Sequence, residues 1–232
     1  MTTFQIRLIA IIAMIIDHIG LFFFPQIIIF RIIGRISFPL FAWLIANGAR
    51  YSRNNDRYLK RLFTLACLSQ IPFTIANVLV GNNIWYFNVI FTLSLGLVAI
   101  ILINKSKEDL TKILVVSLVV VVSYLFNTDY SFVGVLSIIC FYYFHNSPQR
   151  NLLLQSIIFS SPLILYTIKS LFNQGFVHLE PIYFDYFFGL LTALACIYFY
   201  NGREGLKAKY LFYLFYPVQY TVIIILLLKF IK

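Results

Sequence analysis

Apolar runs long enough to cross a bilayer follow one another along this chain, separated by short polar segments, and this leaves few folds open. A membrane helix needs about 20 mostly apolar residues. Such runs lie at 4–24, 27–49, 59–80, 84–104, 113–127, 130–146, 152–173, 182–200 and 211–229. The expectation is an all-α, polytopic transmembrane helix bundle of about nine helices. The fifth run is short, and is expected to tilt or to pair closely with the sixth. Charged residues make up 11% of the chain, against about 25% in a soluble domain, which excludes a soluble core. At 27.0 kDa no room is left for a second, water-soluble domain, so residues 1–232 read as a single transmembrane domain. The first run carries Asp17 and His18 in its middle, too polar for a removed signal peptide, and reads as a retained helix.

Charge sets the expected orientation. Short loops rich in Lys and Arg stay in the cytoplasm. The segments 50–58, 105–112, 146–151 and 201–210, with flanking helix ends, hold Arg50, Arg53, Arg57, Lys60, Arg61, Lys105, Lys107, Lys112, Arg150, Arg203, Lys207 and Lys209. The turns near 81–84, 128–130 and 174–181 hold no Lys or Arg. This predicts a cytoplasmic N-terminus and an external C-terminus. It also accounts for the net charge of +10 without nucleic acid, since no basic stripe with interleaved aromatics is present. Cys67, Cys140 and Cys196 lie inside apolar runs without a CxxC spacing, and the three histidines (18, 145 and 178) are scattered over both predicted sides. Neither a disulfide framework nor a metal site is expected.

Ionisable groups inside membrane helices are expensive and are functional candidates by default. Asp17, His18, Arg31 and Arg35 are four such groups. Asp17 lies eight residues before Pro25 and Arg35 ten after it, so at 1.5 Å per residue both sit about 12–15 Å below the outer surface. An Asp17–Arg35 pair across this hairpin is expected, either as a helix-orienting ion pair or as part of a site. His18 has an unperturbed pKa of about 6.5, which suits a general base. Its neighbour Asp17 points about 100° away on the same helix, so its orienting partner must come from elsewhere. Pro39 has no N–H for the carbonyl of Arg35, which predicts a kink there and a polar pocket at this depth, with Asn88, Gln70 and Asn77 expected either to line it or, each alone, to make interhelical hydrogen bonds.

The first cytoplasmic loop carries Arg50, Arg53, Arg57, Lys60 and Arg61 against one acid, Asp56. Topology explains much of that excess, and the remainder suits an anion with several phosphates, such as coenzyme A or a nucleotide. On the last helix Tyr216 and Gln219 stand three apart, on one face near the cytoplasmic end, with Pro217 between them. Asp185, His178 and Glu180 sit at an expected external mouth. There is no GxSxG elbow, P-loop, HExxH or GxGxxG.

The runs Met14-Ile-Ile-Asp17-His18-Ile-Gly20 and Ile33-Gly34-Arg35-Ile-Ser-Phe38-Pro39-Leu-Phe41 resemble the opening of the TraX family. The resemblance continues through Tyr58-Leu-Lys-Arg61-Leu62, Ser69-Gln70-Ile-Pro72-Phe73, Asn88-Val-Ile-Phe91-Thr92, Asn201-Gly202-Arg-Glu-Gly205 and Phe212-Tyr213…Tyr216-Pro217, in the same order over most of the chain. That family's named member acetylates the N-terminus of conjugative pilin. The family is also similar to transmembrane acyltransferases that include heparan-alpha-glucosaminide N-acetyltransferase. The resemblance implies an acetyl-CoA-dependent N- or O-acetyltransferase in the inner (plasma) membrane of a bacterium, embedded in lipid. It takes acetyl-CoA from the cytoplasm and serves an acceptor on the other side: a peptide N-terminus, a glycan or a small molecule. Asp17, His18, Arg35, Asn88 and Tyr216 fall on matching motif positions; Asp17, His18 and Arg35 become the expected catalytic set, and Asn88 and Tyr216, with Arg50 and Arg53 of the cationic loop and Gln219 beside Tyr216, are expected on the donor. Gln219 departs from the pattern, because a histidine is expected soon after the Tyr-Pro of the last helix. The competing expectation is a transporter or flippase that uses Asp17, His18 and Arg35 as a substrate or proton site.

Overall fold

The first helix shows how local chemistry sets the elements. Thr2 caps it: the Thr2 hydroxyl accepts from the Gln5 N–H at 3.3 Å, and the Gln5 side chain accepts from the Thr2 N–H at 2.8 Å. The next two orphan donors, Thr3 N and Phe4 N, donate to the carbonyls of Arg203 (2.9 Å) and Glu204 (3.0 Å). The Asn201–Gly205 segment is thus a clasp around the helix start. Its bends need left-handed backbone at Gly202 and Gly205, with φ of 77° and 78°, and a Cβ at Gly205 would press on Thr2 and Phe4.

This computed structural model describes residues 1–82, 85–172, 182–206 and 209–230, without the side chains of 170–172, 182–185, 209–212 and 230. Its helices are α1 (Thr3–Phe23), α2 (Ile28–Gly34), α3 (Ser37–Tyr51), α4 (Asn55–Leu79), α5 (Val89–Lys105), α6 (Asp109–Leu125), α7 (Ser131–Tyr143), α8 (Pro148–Phe172), α9 (Ile182–Tyr198) and α10 (Lys209–Phe230). Among the described residues the only strand-like pairing is one isolated bridge, Phe87 with Thr128. The fold is all-helical, and each apolar run became one helix except the second, which is divided into α2 and α3. Thr3–Phe23, Ile28–Tyr51, Asn55–Leu79 and Pro148–Lys169 are long and apolar enough to cross a membrane, and shorter apolar helices accompany them. The protein is a membrane protein.

The chain forms two compact units, interleaved in sequence. The first comprises Met1–Phe41 and Tyr143–Gly205. In it α1 packs on α2, and both α2 and α8 pack on α9. Its interior includes Ile6, Ala10 and Met14, with Phe38 against Phe159 at 6.5 Å between ring centroids.

The second unit comprises Ala42–Tyr142 and Leu206–Lys232. There α4 packs on α5 and α10, and α5 on α6. Leu97, Ile100, Val135, Ile138 and Phe141 are fully buried, and Gly96 leaves room for Ile138. At one end of this unit the Arg50 guanidinium donates to the carbonyls of Phe141 and Tyr142, Lys105 meets Asp56 at 3.5 Å, and the Asn104 amide donates to the Tyr142 hydroxyl at 2.9 Å. These are the ends that charge assigned to one side. At another end Phe87 pairs with the 127–129 turn: its N–H donates to Asn127 O at 3.3 Å and its carbonyl accepts from Asp129 N at 3.0 Å.

Candidate functional site

In the first unit Arg31 Nη1 lies 2.9 Å from Asp17 Oδ2. The expected Asp17–Arg35 pair is therefore corrected to Asp17–Arg31, and helix phase gives the reason. Gly34 lies flush on Asp17: a Cβ there would collide with the Asp17 carboxylate and Cβ. Arg31, three residues before Gly34, shares the face that meets α1, whereas Arg35, one residue after it, points about 100° away. The pair is mostly shielded, with side-chain exposures of 21% and 17%. Asp17 Oδ1 is buried and meets no hydrogen-bond donor among the described residues.

Arg35 is 6% exposed, and its guanidinium lies over the ring of Tyr186 at 4.3 Å from the centroid. The expected kink is present as a break at Arg35 and Ile36, between α2 and α3. Pro39 leaves the Arg35 carbonyl without its helical donor, and α9 approaches it closely at Gly189, where a Cβ would stand 2.6 Å from Arg35 O. The Ser37 hydroxyl donates to Ala10 O at 2.9 Å, tying the start of α3 to α1. His18 is 8% exposed and stands edge-on to Phe22 at 6.3 Å. This unit thus gathers a carboxylate, two guanidiniums, an imidazole and a phenol ring in a mostly buried setting. An imidazole able to take up a proton, guanidiniums able to face a negative charge, and a carboxylate oxygen without a donor among the described residues are all present.

The second unit holds the other candidates. Asn88 is 0% exposed and caps α5 by accepting from Ile90 N at 3.0 Å. Its amide donates to Ala66 O at 2.9 Å and Gln70 Oε1 at 2.8 Å, so both its protons are committed to α4. Gln70 in turn donates to Tyr86 O and Thr74 Oγ1, and Asn77 donates to Phe73 O. These amides form a structural lock between α4 and α5. Arg50 is also engaged, capping the C-terminal carbonyls of α7 and lying 5.7 Å from the Tyr142 ring centroid. Arg53, Arg57, Lys60 and Arg61 are exposed around the first turns of α4.

Tyr216 is buried and packs on Tyr220 at 5.1 Å, and Tyr220 packs on Phe73 at 5.4 Å. The Tyr216 hydroxyl also meets the backbone of Val89. Tyr216 was expected near the cytoplasmic end; it sits instead at the start of α5, opposite the end that carries Lys105. The reason is stagger. Phe73 is 18 residues into α4 and Tyr220 is 11 into α10, so α10 begins about seven residues, or about 10 Å, further along. His178 and Glu180 lie outside the described residues, as does the side chain of Asp185.

Sequence reasoning missed Tyr186 and Gly189, three apart on α9, and the buried amides Asn151 and Gln155, four apart on α8. Two amides at helical spacing in an apolar run were the available signal for the latter. It also missed Asp129, whose carbonyl accepts from the Thr92 hydroxyl in a turn where Asn127, Tyr130 and Ser131 take φ of 44°, 60° and 41°.

The family model described as "TraX protein" matches residues 3–227. A relative from Dichelobacter nodosus, named as a probable fimbrial assembly protein FimC of serogroup H1, is 29% identical over 241 residues, covering 96% of this chain and 94% of the relative. An uncharacterized protein of Rickettsia prowazekii (strain Madrid E) is 53% identical over a 38-residue stretch, covering 16% of this chain and 15% of that one. No solved structure matches the chain.

Proposed function

Because this chain belongs to the TraX family, we propose that it is a membrane-embedded acetyltransferase of the bacterial inner membrane, taking acetyl-CoA from the cytoplasm and acetylating an amine or hydroxyl outside. The observation that carries the reading is the buried His18 in the same unit as the Asp17–Arg31 pair and Arg35. A burial of this kind is hard to account for by packing alone. The relative named for fimbrial assembly brings a pilin-like peptide N-terminus to the front as acceptor.

In the proposed step the His18 imidazole takes a proton from the neutral amine as its nitrogen attacks the thioester carbonyl. The C–N bond forms, the C–S bond breaks, and the leaving thiolate takes up the proton, giving an amide and free coenzyme A. Arg35, buried in the first unit with His18, is the guanidinium we assign to the developing oxyanion. In the second unit, Arg53 and its exposed neighbours Arg57, Lys60 and Arg61 suit the phosphates of the donor, whereas Arg50 serves as a helix cap.

Calorimetric titration of the purified protein with acetyl-CoA, paired with mass spectrometry of a pilin N-terminal peptide, tests the reading. Micromolar binding and a 42-dalton gain on the peptide, both reported with His18→Ala as control, are the expected result (about 42 Da being the mass of one acetyl group in place of hydrogen). No binding at millimolar acetyl-CoA sinks it. The unpaired buried oxygen of Asp17 favours one rival, a transporter with a proton-carrying carboxylate. Proteoliposomes that move an intact solute and leave no acetylated product select that rival.

A further inference from the structure

In the first unit α9 turns one face inward. Leu190 and Ala193 on that face are fully buried, while Phe187, Phe188 and Leu191 beside it are exposed. Tyr186 and Gly189, three residues apart, lie one turn from each other along the inward face.

Both meet the same residue. Gly189 lies against the main chain of Arg35: a Cβ there would stand 2.5 Å from Arg35 C and 2.6 Å from Arg35 Cβ and O. The ring of Tyr186 lies under the Arg35 guanidinium, 4.3 Å from centroid to Cζ. The missing side chain at 189 lets α9 come this near, and that approach brings the ring at 186 to the far end of the Arg35 side chain. One helix thus holds Arg35 at its backbone and at its head. The two arginines of this unit are held differently. Asp17 cancels the charge of Arg31, whereas a ring holds a cation and leaves its charge in place.

We propose that Tyr186 is the positioning residue for Arg35: with Gly189 setting its approach, it fixes the guanidinium so that the N–H fork meets the developing oxyanion. This role rests on the acyl-transfer reading. Arginine side chains have many rotamers, and donors stabilise a transition state best when they need no rearrangement as charge develops. A ring contact supplies that order to a group that must stay charged. The aromatic face is the operative part of Tyr186, and its hydroxyl is dispensable.

Steady-state acetyl transfer by the full chain in lipid nanodiscs tests it, with acetyl-CoA varied and the pilin N-terminal peptide saturating. Tyr186→Leu should lower kcat about tenfold or more while KM for acetyl-CoA moves about twofold at most, the pattern of an interaction made in the transition state. Tyr186→Phe and Tyr186→Trp keep a ring and should stay within about threefold of wild-type kcat. A second readout needs no turnover. In protein carrying isotope-labelled arginine, the Arg35 Nε–H resonance, assigned through Arg35→Lys, should show a ring-current displacement. Tyr186→Leu and Gly189→Ala should remove it, and Tyr186→Phe should keep it. An active wild type in which Tyr186→Leu keeps its kcat, or in which Tyr186→Phe falls as far as Tyr186→Leu, overturns the role and leaves the acyl-transfer reading standing. A resonance that Tyr186→Leu does not move overturns the role as well. Wild-type protein that binds no acetyl-CoA and transfers nothing overturns that reading, and the role with it.

Discussion

At the scale of single residues, Asp17 and Arg31 hold one another in place, and removing one charge strands the other. Breaking a fully buried pair costs about 3–5 kcal/mol; with roughly a fifth of each side chain exposed, Asp17→Asn should cost about 1–3 kcal/mol. The double variant Asp17→Asn/Arg31→Gln should recover most of that thermal stability without recovering turnover, which a melt and an acetylation assay on the same preparation will check. Gly34→Ala makes a sharper case. In an isolated helix alanine is better by about 1 kcal/mol. Here its Cβ meets the Asp17 carboxylate, so a net loss of about 1–3 kcal/mol is expected in detergent melts. An unchanged or raised midpoint would show that α1 and α2 separate freely. The four ionisable positions were legible in the sequence because charge inside an apolar run stands out. Their pairing was not, because it turns on the phase of α2 against Gly34, and equal depth alone favoured Arg35.

Among the elements, the α2–α3 break and the α4–α5 lock are opposite uses of a local signal. Pro39 announced the first, and α9 exploits it by placing Gly189 on the released carbonyl. Pro39→Ala restores a donor to Arg35 O; turnover should fall at least tenfold as Arg35 leaves Tyr186, while the melting midpoint stays within a few degrees. Full activity in that variant would detach the break from function. Asn88, expected either to line a pocket or to make an interhelical contact, does the latter: it caps α5 and clamps α4. Losing a cap worth about 1 kcal/mol and two interhelical hydrogen bonds of about 0.5–1.5 kcal/mol each, Asn88→Ala should be about 2–4 kcal/mol less stable. Asn88→Asp keeps the capping oxygen and should lose less, which comparative melts will reveal. Arg50 illustrates what spacing cannot convey. Its partners Phe141 and Tyr142 lie about ninety positions away, so a loop full of cations gave no sign that this one ends a helix.

On the scale of the whole molecule, the apolar runs and the distribution of Lys and Arg made the helical membrane fold readable, and the division into two interleaved units was not. That division depends on which helices meet, and no periodicity in one run reports its partner. Orientation is open to direct measurement. Single cysteines at Lys107 and Asn82 of a cysteine-free variant should react with an impermeant maleimide only from the inside and only from the outside, respectively, in intact cells; reversed labelling would invert the assignment of every loop. The clasp at Asn201–Gly205 has its own consequence for how the protein comes into being. The donors of Thr3 and Phe4 find their acceptors at Arg203 and Glu204, some 200 residues later. At roughly 5–20 residues per second, a ribosome needs about 10–40 s to supply the other half of that contact. Until then the first helix waits in the bilayer unfinished, and residues made some 200 positions later complete the unit that holds His18.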